Sequence, residues 1–241
     1  MKFKVFPNRT LIISGSLHKF YNYLTSNESR NDDLYTYANF TTTLQYFTDV
    51  LKLNIKKMRV HNIEFGVNLH LKCDAADYLV QMQAYRWLTF NQVISEKKIG
   101  RTCVMDEYWA KIYFKGFQFG NNPNLLRIEK SVKTMQAVFK THVYLTDLAD
   151  KKVWEYCGNN LLKMFDDILI SDVFVIDQLS KTEKRVVLEC SNNAQWKDFT
   201  KQKKSLNRKA YDKIIENHGA MKIRSNLKAL ITEQIKEIIN T

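Results

Sequence analysis

The chain has 241 residues, with 37 Lys+Arg against 25 Asp+Glu and a formal net charge of +12. Hydrophobic residues at 45 % and aromatics at 12 % exclude a disordered tail, and only 7 Gly and 2 Pro exclude collagen-like or linker-rich architectures. The length suits one domain with an appendage or two small domains, and the positive excess asks for an acidic partner, most commonly nucleic acid.

In chain order, residues 9–15 (RTLIISG) read as a strand closed by glycine, and 22–39 as a polar loop. Phe40, Leu44, Phe47, Val50 and Leu51 recur at helical spacing, which predicts an amphipathic helix to Leu53 with Asn39 as its cap. Over 59–72, Ile63, Phe65, Val67, Leu69 and Leu71 fall on one parity, and Glu64, Gly66, Asn68 and His70 on the other. That alternation is the clearest strand signal in the chain. Asp74 opens a short helix, and 84–106 read as irregular with room for one strand.

A second alternating run, 107–119, sets Lys111, Tyr113 and Lys115 on one face, opposite Ile112 and Phe114. A third, 125–132, sets Arg127, Glu129 and Ser131 opposite Leu126, Ile128 and Val132. The turn between them, Gly120 to Asn124, joins the two as a hairpin. Residues 146–167 read as a helix starting at Thr146, followed by the apolar segment DVFVIDQL, a charged turn at 181–185 and a short element, RVVLEC. From 193 onward two helical patterns are divided by Gly219. From Lys197 there are eleven Lys/Arg against five Asp/Glu, so about half of the net charge lies in the last fifth of the chain.

Cys73, Cys103, Cys157 and Cys190 form no C-x-x-C pair and read as buried thiols of a reducing cytoplasm. The apolar patch Leu11 to Ile13 is too short for a signal or a membrane span, so the expectation is a soluble, cytoplasmic bacterial protein without membrane contact. No phosphate-binding or dinucleotide glycine motif is present, and no histidine pair has metal-ligand spacing.

The chemistry suggested by the three alternating runs is phosphoryl transfer. Lysines on either side of Tyr113 favour its phenolate and can bind a phosphate, as a tyrosine nucleophile requires. Glu64, Asn68, His70 and Glu129 on neighbouring strands can offer oxygen and nitrogen ligands to a divalent metal. Glu64, Gly66 and Asn68 are poor strand residues within a strong strand, the kind of local conflict that marks a site. As ordinary surface chemistry, the same residues are a solvated sheet face.

The segments SGSLHKFYN (14–22), NIEFGVNLHL (62–71), KIYFKGFQF (111–119), LLRIEK (125–130) and YLTDL (144–148) together resemble a known group. It is the tyrosine-dependent replication initiation proteins of rolling-circle plasmids and filamentous phages, most closely the short replication proteins of Bacteroidetes-type elements. The resemblance implies an α+β protein with an antiparallel central sheet, flanking helices and a HUH/Rep-like nicking domain over 1–150. Residues 151–241 then form a helical, basic DNA-binding region. It implies Tyr113 as nucleophile at an origin, single-stranded or hairpin, with Mg²⁺ or Mn²⁺ on Glu64, Glu129, Asn68 and His70. Lys111, Lys115 and Arg127 would contact phosphate, and Lys203, Lys204, Arg208 and Lys209 would grip DNA. A host polymerase and helicase are the implied partners, and a monomer or homodimer both remain open. The chain departs from the group at Phe114 and Asn68, where relatives carry acids. Those departures keep a non-catalytic DNA- or RNA-binding regulator in view. Glu129-Lys130 after Glu64 also loosely fits a nuclease that uses water, and Tyr108 is a rival nucleophile on the other parity.

Overall fold

The computed structural model describes residues 1–95, 98–120 and 122–241, with Asn193 by its backbone alone. A ribbon, β1 (Lys2–Val5) and β2 (Leu11–Ser14), opens the chain. Two helices follow, α1 (Leu17–Ser26) and α2 (Tyr37–Asp49). Ser16 caps α1 by accepting from the Lys19 N–H, and Asn27 ends it in the left-handed region. The helix therefore takes the first residues of the expected loop. Thr36, not Asn39, caps α2, and Asn39 is the reciprocal member of a capping box.

β3 (Ile63–His70) and α3 (Ala75–Gln81, capped by Asp74) lie where the patterns place them. The stretch expected to be irregular instead holds four strands: β4 (Met82–Tyr85), β5 (Leu88–Thr89), β6 (Asn91–Ser95) and β7 (Lys98–Val104). Arg101 obscures the alternation of β7, because it sits on the apolar parity and donates to the Leu79 carbonyl at 3.3 Å.

β8 (Tyr108–Phe114) ends early, and Lys115 begins a short helix, α4 (Lys115–Phe119), closed by Gly120 at φ 71°. β9 (Leu125–Val132) then returns antiparallel to β8. After α5 (Met135–Phe139), Asp150 rather than Thr146 caps α6 (Lys151–Asp166). β10 (Ile168–Ile170) and α7 (Lys181–Ser191) follow; the expected turn at 181–185 is helical, held by a Ser180–Glu183 capping box. α8 (Asn193–Asp198), α9 (Lys201–His218) and α10 (Ile223–Asn240) complete the chain.

The fold is α+β, with an antiparallel five-stranded sheet of order β3-β9-β8-β7-β6 and flanking helices. On one face of the sheet, Val67, Leu69, Ala110, Ile112 and Ile128 join Leu161 and Phe165 of α6 and Leu227 and Ile231 of α10 in one core. Each such Leu or Ile contributes roughly 1.5–3 kcal/mol by burial. Helices beyond residue 150 are thus built into the core of the sheet, so a boundary there separates no two cores. A smaller cluster of Val187, Cys190, Trp196, Tyr211 and Ile214 ties α7, α8 and α9 to Ala84 of β4 and Leu169 of β10. No helix among the described residues is long and apolar enough to cross a membrane. Cys103, Cys157 and Cys190 are buried thiols as expected, whereas Cys73 is exposed.

Candidate functional site

The opposite, polar face of the sheet is assembled by strand register. Glu64 lies across from Ser131, and Ser131 from Trp109. Gly66 faces Glu129, which faces Lys111; Asn68 faces Arg127, which faces Tyr113. β7 brings Gly100 beside Tyr113. A Cβ on Gly66 would stand 2.7 Å from Glu129 Cβ, and one on Gly100 2.5 Å from Tyr113 Cβ. The two glycines let β3 and β7 close on Glu129 and Tyr113, which accounts for a glycine inside a strong strand.

Glu129 is the hub. Its Oε2 accepts from Arg127 Nε at 2.7 Å and from the Tyr113 hydroxyl at 3.1 Å, and its Oε1 lies 3.3 Å from Lys111 Nζ. Lys111 also donates to Glu64 Oε1, which accepts from Ser131 Oγ at 2.7 Å. Arg127 Nη1 donates to Asn68 Oδ1 at 2.9 Å. Asn68 Nδ2 donates to the carbonyls of Asn31 at 3.2 Å and Asp33 at 3.0 Å. A carboxylate could not make those donations, so Asn68 has a structural reason to replace an acid: it holds the 27–36 loop across the sheet. His18 Nε2 and Asn22 Nδ2 secure the same loop at Asp33 Oδ1, at 2.7 and 2.8 Å.

Lys115 lies on α4, not on the strand face, but its ammonium returns to the site. Nζ donates to Asn31 Oδ1 at 2.7 Å and Gln118 Oε1 at 2.8 Å, and stands 5.8 Å from the Tyr113 ring centre. Lys98 Nζ is closer, 4.2 Å from that ring. Lys98, Asn31 and Asp33 escape the sequence reading, because β7 shows no clean alternation and the loop has no motif.

Burial opposes ionisation of Glu129, but Arg127 and Lys111 outweigh it and hold the carboxyl down at about 2. Burial, joined by the Glu129 carboxylate, pushes the Tyr113 phenol well above its usual range against the pull of Arg127. The expected lowering by flanking lysines is overturned: Lys111 is engaged by two carboxylates, and Tyr113 is only 7 % exposed. Burial, then repulsion from Arg127 and Lys19, pushes Lys115 down to about 7.

Several expected members stand elsewhere. His70 is exposed at the end of β3, across from Leu125. Tyr108 is buried on the core face and bonds the Tyr85 hydroxyl at 2.7 Å. Lys130 also points to that face, 4.2 Å from the Tyr108 ring centre, so Glu129-Lys130 does not form a paired acid and lysine. Arg208 donates to the carbonyls of Asp166, Asp167 and Ile168 at 2.7, 2.5 and 3.0 Å, which uses its fork inside the fold rather than for DNA. Lys203 lies 3.5 Å from Glu189, Lys204 reaches the Trp87 carbonyl at 3.2 Å, and Lys209 is exposed.

The donors do not fit the divalent ion the sequence suggests. The Lys111 ammonium already lies between the Glu64 and Glu129 carboxylates, Arg127 takes the other Glu129 oxygen, and the Asn68 carbonyl oxygen accepts from Arg127. Among the described residues no three His, Cys, Asp or Glu side chains gather as a metal-holding group. No protein-family model, curated protein or solved structure matches the chain.

Proposed function

We propose that the chain is a replication initiation protein that cuts one strand of a plasmid or phage origin by attack of Tyr113 and stays joined to the 5′ end. The observation that carries this reading is the meeting of Tyr113, Glu129, Arg127 and Lys111 on one face of adjacent strands, with the hydroxyl on a carboxylate. The antiparallel sheet with flanking helices supports the HUH/Rep-like comparison as an architecture.

A phosphodiester at this face competes with Glu129 and Glu64 for Arg127 and Lys111, and draws on Lys98 and Lys115. Freed from its cations, Glu129 becomes a stronger base and takes the hydroxyl proton it already accepts. The Tyr113 Oη–P bond forms as the P–O3′ bond breaks, and the proton passes to the departing 3′ oxygen. The chain's own cations meet the charge that builds on phosphorus. The 3′-OH is then a primer for a host polymerase, with a host helicase opening the duplex.

The test is incubation of the chain with a labelled single-stranded origin segment, with and without Mg²⁺ or Mn²⁺. A covalent protein–DNA band is expected from the native chain. Tyr113→Phe should abolish it while binding persists; a band from the Phe variant overturns the assignment. The burial of Tyr113 favours a second reading, a DNA-binding regulator in which the network only clamps the sheet. Binding with no band under any metal condition supports that one.

A further inference from the structure

The tip of the β4–β5 hairpin is Arg86-Trp87. Arg86 adopts φ 53° and Trp87 is 40 % exposed, with Leu88 beside it at 37 %. The tip is anchored. The Arg86 N–H donates to the Asp167 carbonyl at 2.8 Å, Arg86 Nε donates to Asp167 Oδ2 at 2.8 Å, and Lys204 Nζ donates to the Trp87 carbonyl at 3.2 Å. Cations from two elements converge on the indole: Arg86 Cζ lies 5.8 Å and Lys201 Nζ 5.3 Å from its ring centre.

Lys201 and Lys204 make no ion pair among the described residues. With Lys203 they fill the first turn of α9, which holds no acidic residue, although cations there oppose the helix dipole. These lysines weaken the helix they begin, and among the described residues only Lys203 of the three meets a carboxylate, that of Glu189 at 3.5 Å. A basic patch that only tracks a duplex backbone has no use for an exposed indole. An unpaired base does, because its ring stacks on an aromatic face while nearby cations meet its phosphates.

We infer that Trp87, with Arg86, Lys201 and Lys204, forms a second DNA contact, one that stacks an unpaired base of a single strand. The contact does not depend on cleavage at Tyr113. The test therefore uses the full chain carrying Tyr113→Phe, so that failure to join DNA and failure of this contact remain separate results.

The probe is labelled oligo(dT) of about twelve nucleotides, within the span that single-strand-binding sites cover. Anisotropy titration compares it with oligo(rU) and with a duplex of the same length. Trp87→Ala should weaken oligo(dT) binding about tenfold and leave duplex binding within about twofold. Oligo(dT) should quench indole fluorescence in the chain that keeps Trp87, and that quenching should fall in Trp87→Phe to the share that Trp109 on the sheet face contributes, a readout that stands even where the Ala variant loses its fold. Lys201→Ala with Lys204→Ala should weaken both ligands and flatten the salt dependence. Equal loss for strand and duplex on Trp87→Ala, or no loss at all, overturns the stacking site. Loss confined to oligo(rU) overturns its assignment to DNA.

Discussion

The polar face of the main sheet and the surface around α9 are both basic, yet they hold charge in opposite ways. On the sheet, Lys111 and Arg127 have side chains only 11 % and 13 % exposed, and each is paired with a carboxylate. On α9, Lys201, Lys204 and Lys209 are more open, and none is matched to an acid among the described residues. A phosphate arriving at the sheet must compete with carboxylates already in place, whereas one arriving at α9 meets lysines with no such rival. The net charge of +12 therefore divides into cations that hold the fold and cations open to a partner, and composition alone cannot separate them.

The largest break in that comparison is Glu129→Ala. It leaves the largely buried cations Arg127 and Lys111 on the polar face without their shared acceptor, so a loss of about 3–5 kcal/mol is expected in urea unfolding. Glu129→Gln, which keeps the shape and one acceptor, should lose less. The native chain should show the matching pH dependence. The folded carboxyl sits at about 2, below its ordinary 4.5, so its contribution is complete above 4.5 and disappears as pH falls from there toward 2. Near-native stability for Glu129→Ala means that the face is held by its neighbours and not by this hub.

Arg208 and Lys209 adjoin in sequence and test the division within α9 itself. Arg208→Ala strips a donor fork from three carbonyls and should cost roughly 2–3 kcal/mol. Lys209→Ala should change stability by less than about 0.5 kcal/mol. It should instead reduce the slope of log K against log salt for DNA by roughly 0.7–0.9, one phosphate's worth. The reverse pattern would place the DNA-facing side of α9 on the other flank of the helix.

The central sheet was legible because Ile63, Phe65, Val67 and Leu69 alternate cleanly, and so do the residues around Ile112 and Ile128. That parity alone puts Glu64, Lys111, Tyr113, Arg127 and Glu129 on one face. Parity could not give the pairing of charges. Whether Lys111 meets a phosphate or two carboxylates depends on register between strands that are 47 and 18 residues apart in the chain, counting to Glu64 and Glu129. Of the strands in 82–104, β4 and β5 are too short to show a pattern, and Arg101 interrupts the apolar parity of the seven-residue β7. In sequence Lys115 continues the alternation of the strand face by one residue, whereas in the fold it begins the helix KGFQF. Asn68 reads as a missing acid in sequence and as a two-way amide clamp in the fold, a role that appears only with the 27–36 loop in place.

Lys115 gives the finest test, because it belongs to neither class of cation. It is 1 % exposed, and its ammonium is bonded to two neutral amide oxygens, those of Asn31 and Gln118, and to no carboxylate among the described residues. Its folded value of about 7 lies below its ordinary 10.5. Between these values the unfolded chain keeps a proton that the folded chain has lost, so stability rises as pH rises from about 7 to about 10.5. Below 7 both states carry the charge, and the folded one bears the cost of burying it. Lys115→Met removes that cost and also the two hydrogen bonds, for a net gain of about 1 kcal/mol at neutral pH. The gain should shrink toward pH 10, where the native lysine is neutral in the fold. Urea midpoints at the two ends of that range decide the matter. Parallel curves for native and variant chains would show Lys115 charged in the fold across the whole range, which would move it into the class of cations already matched on the sheet.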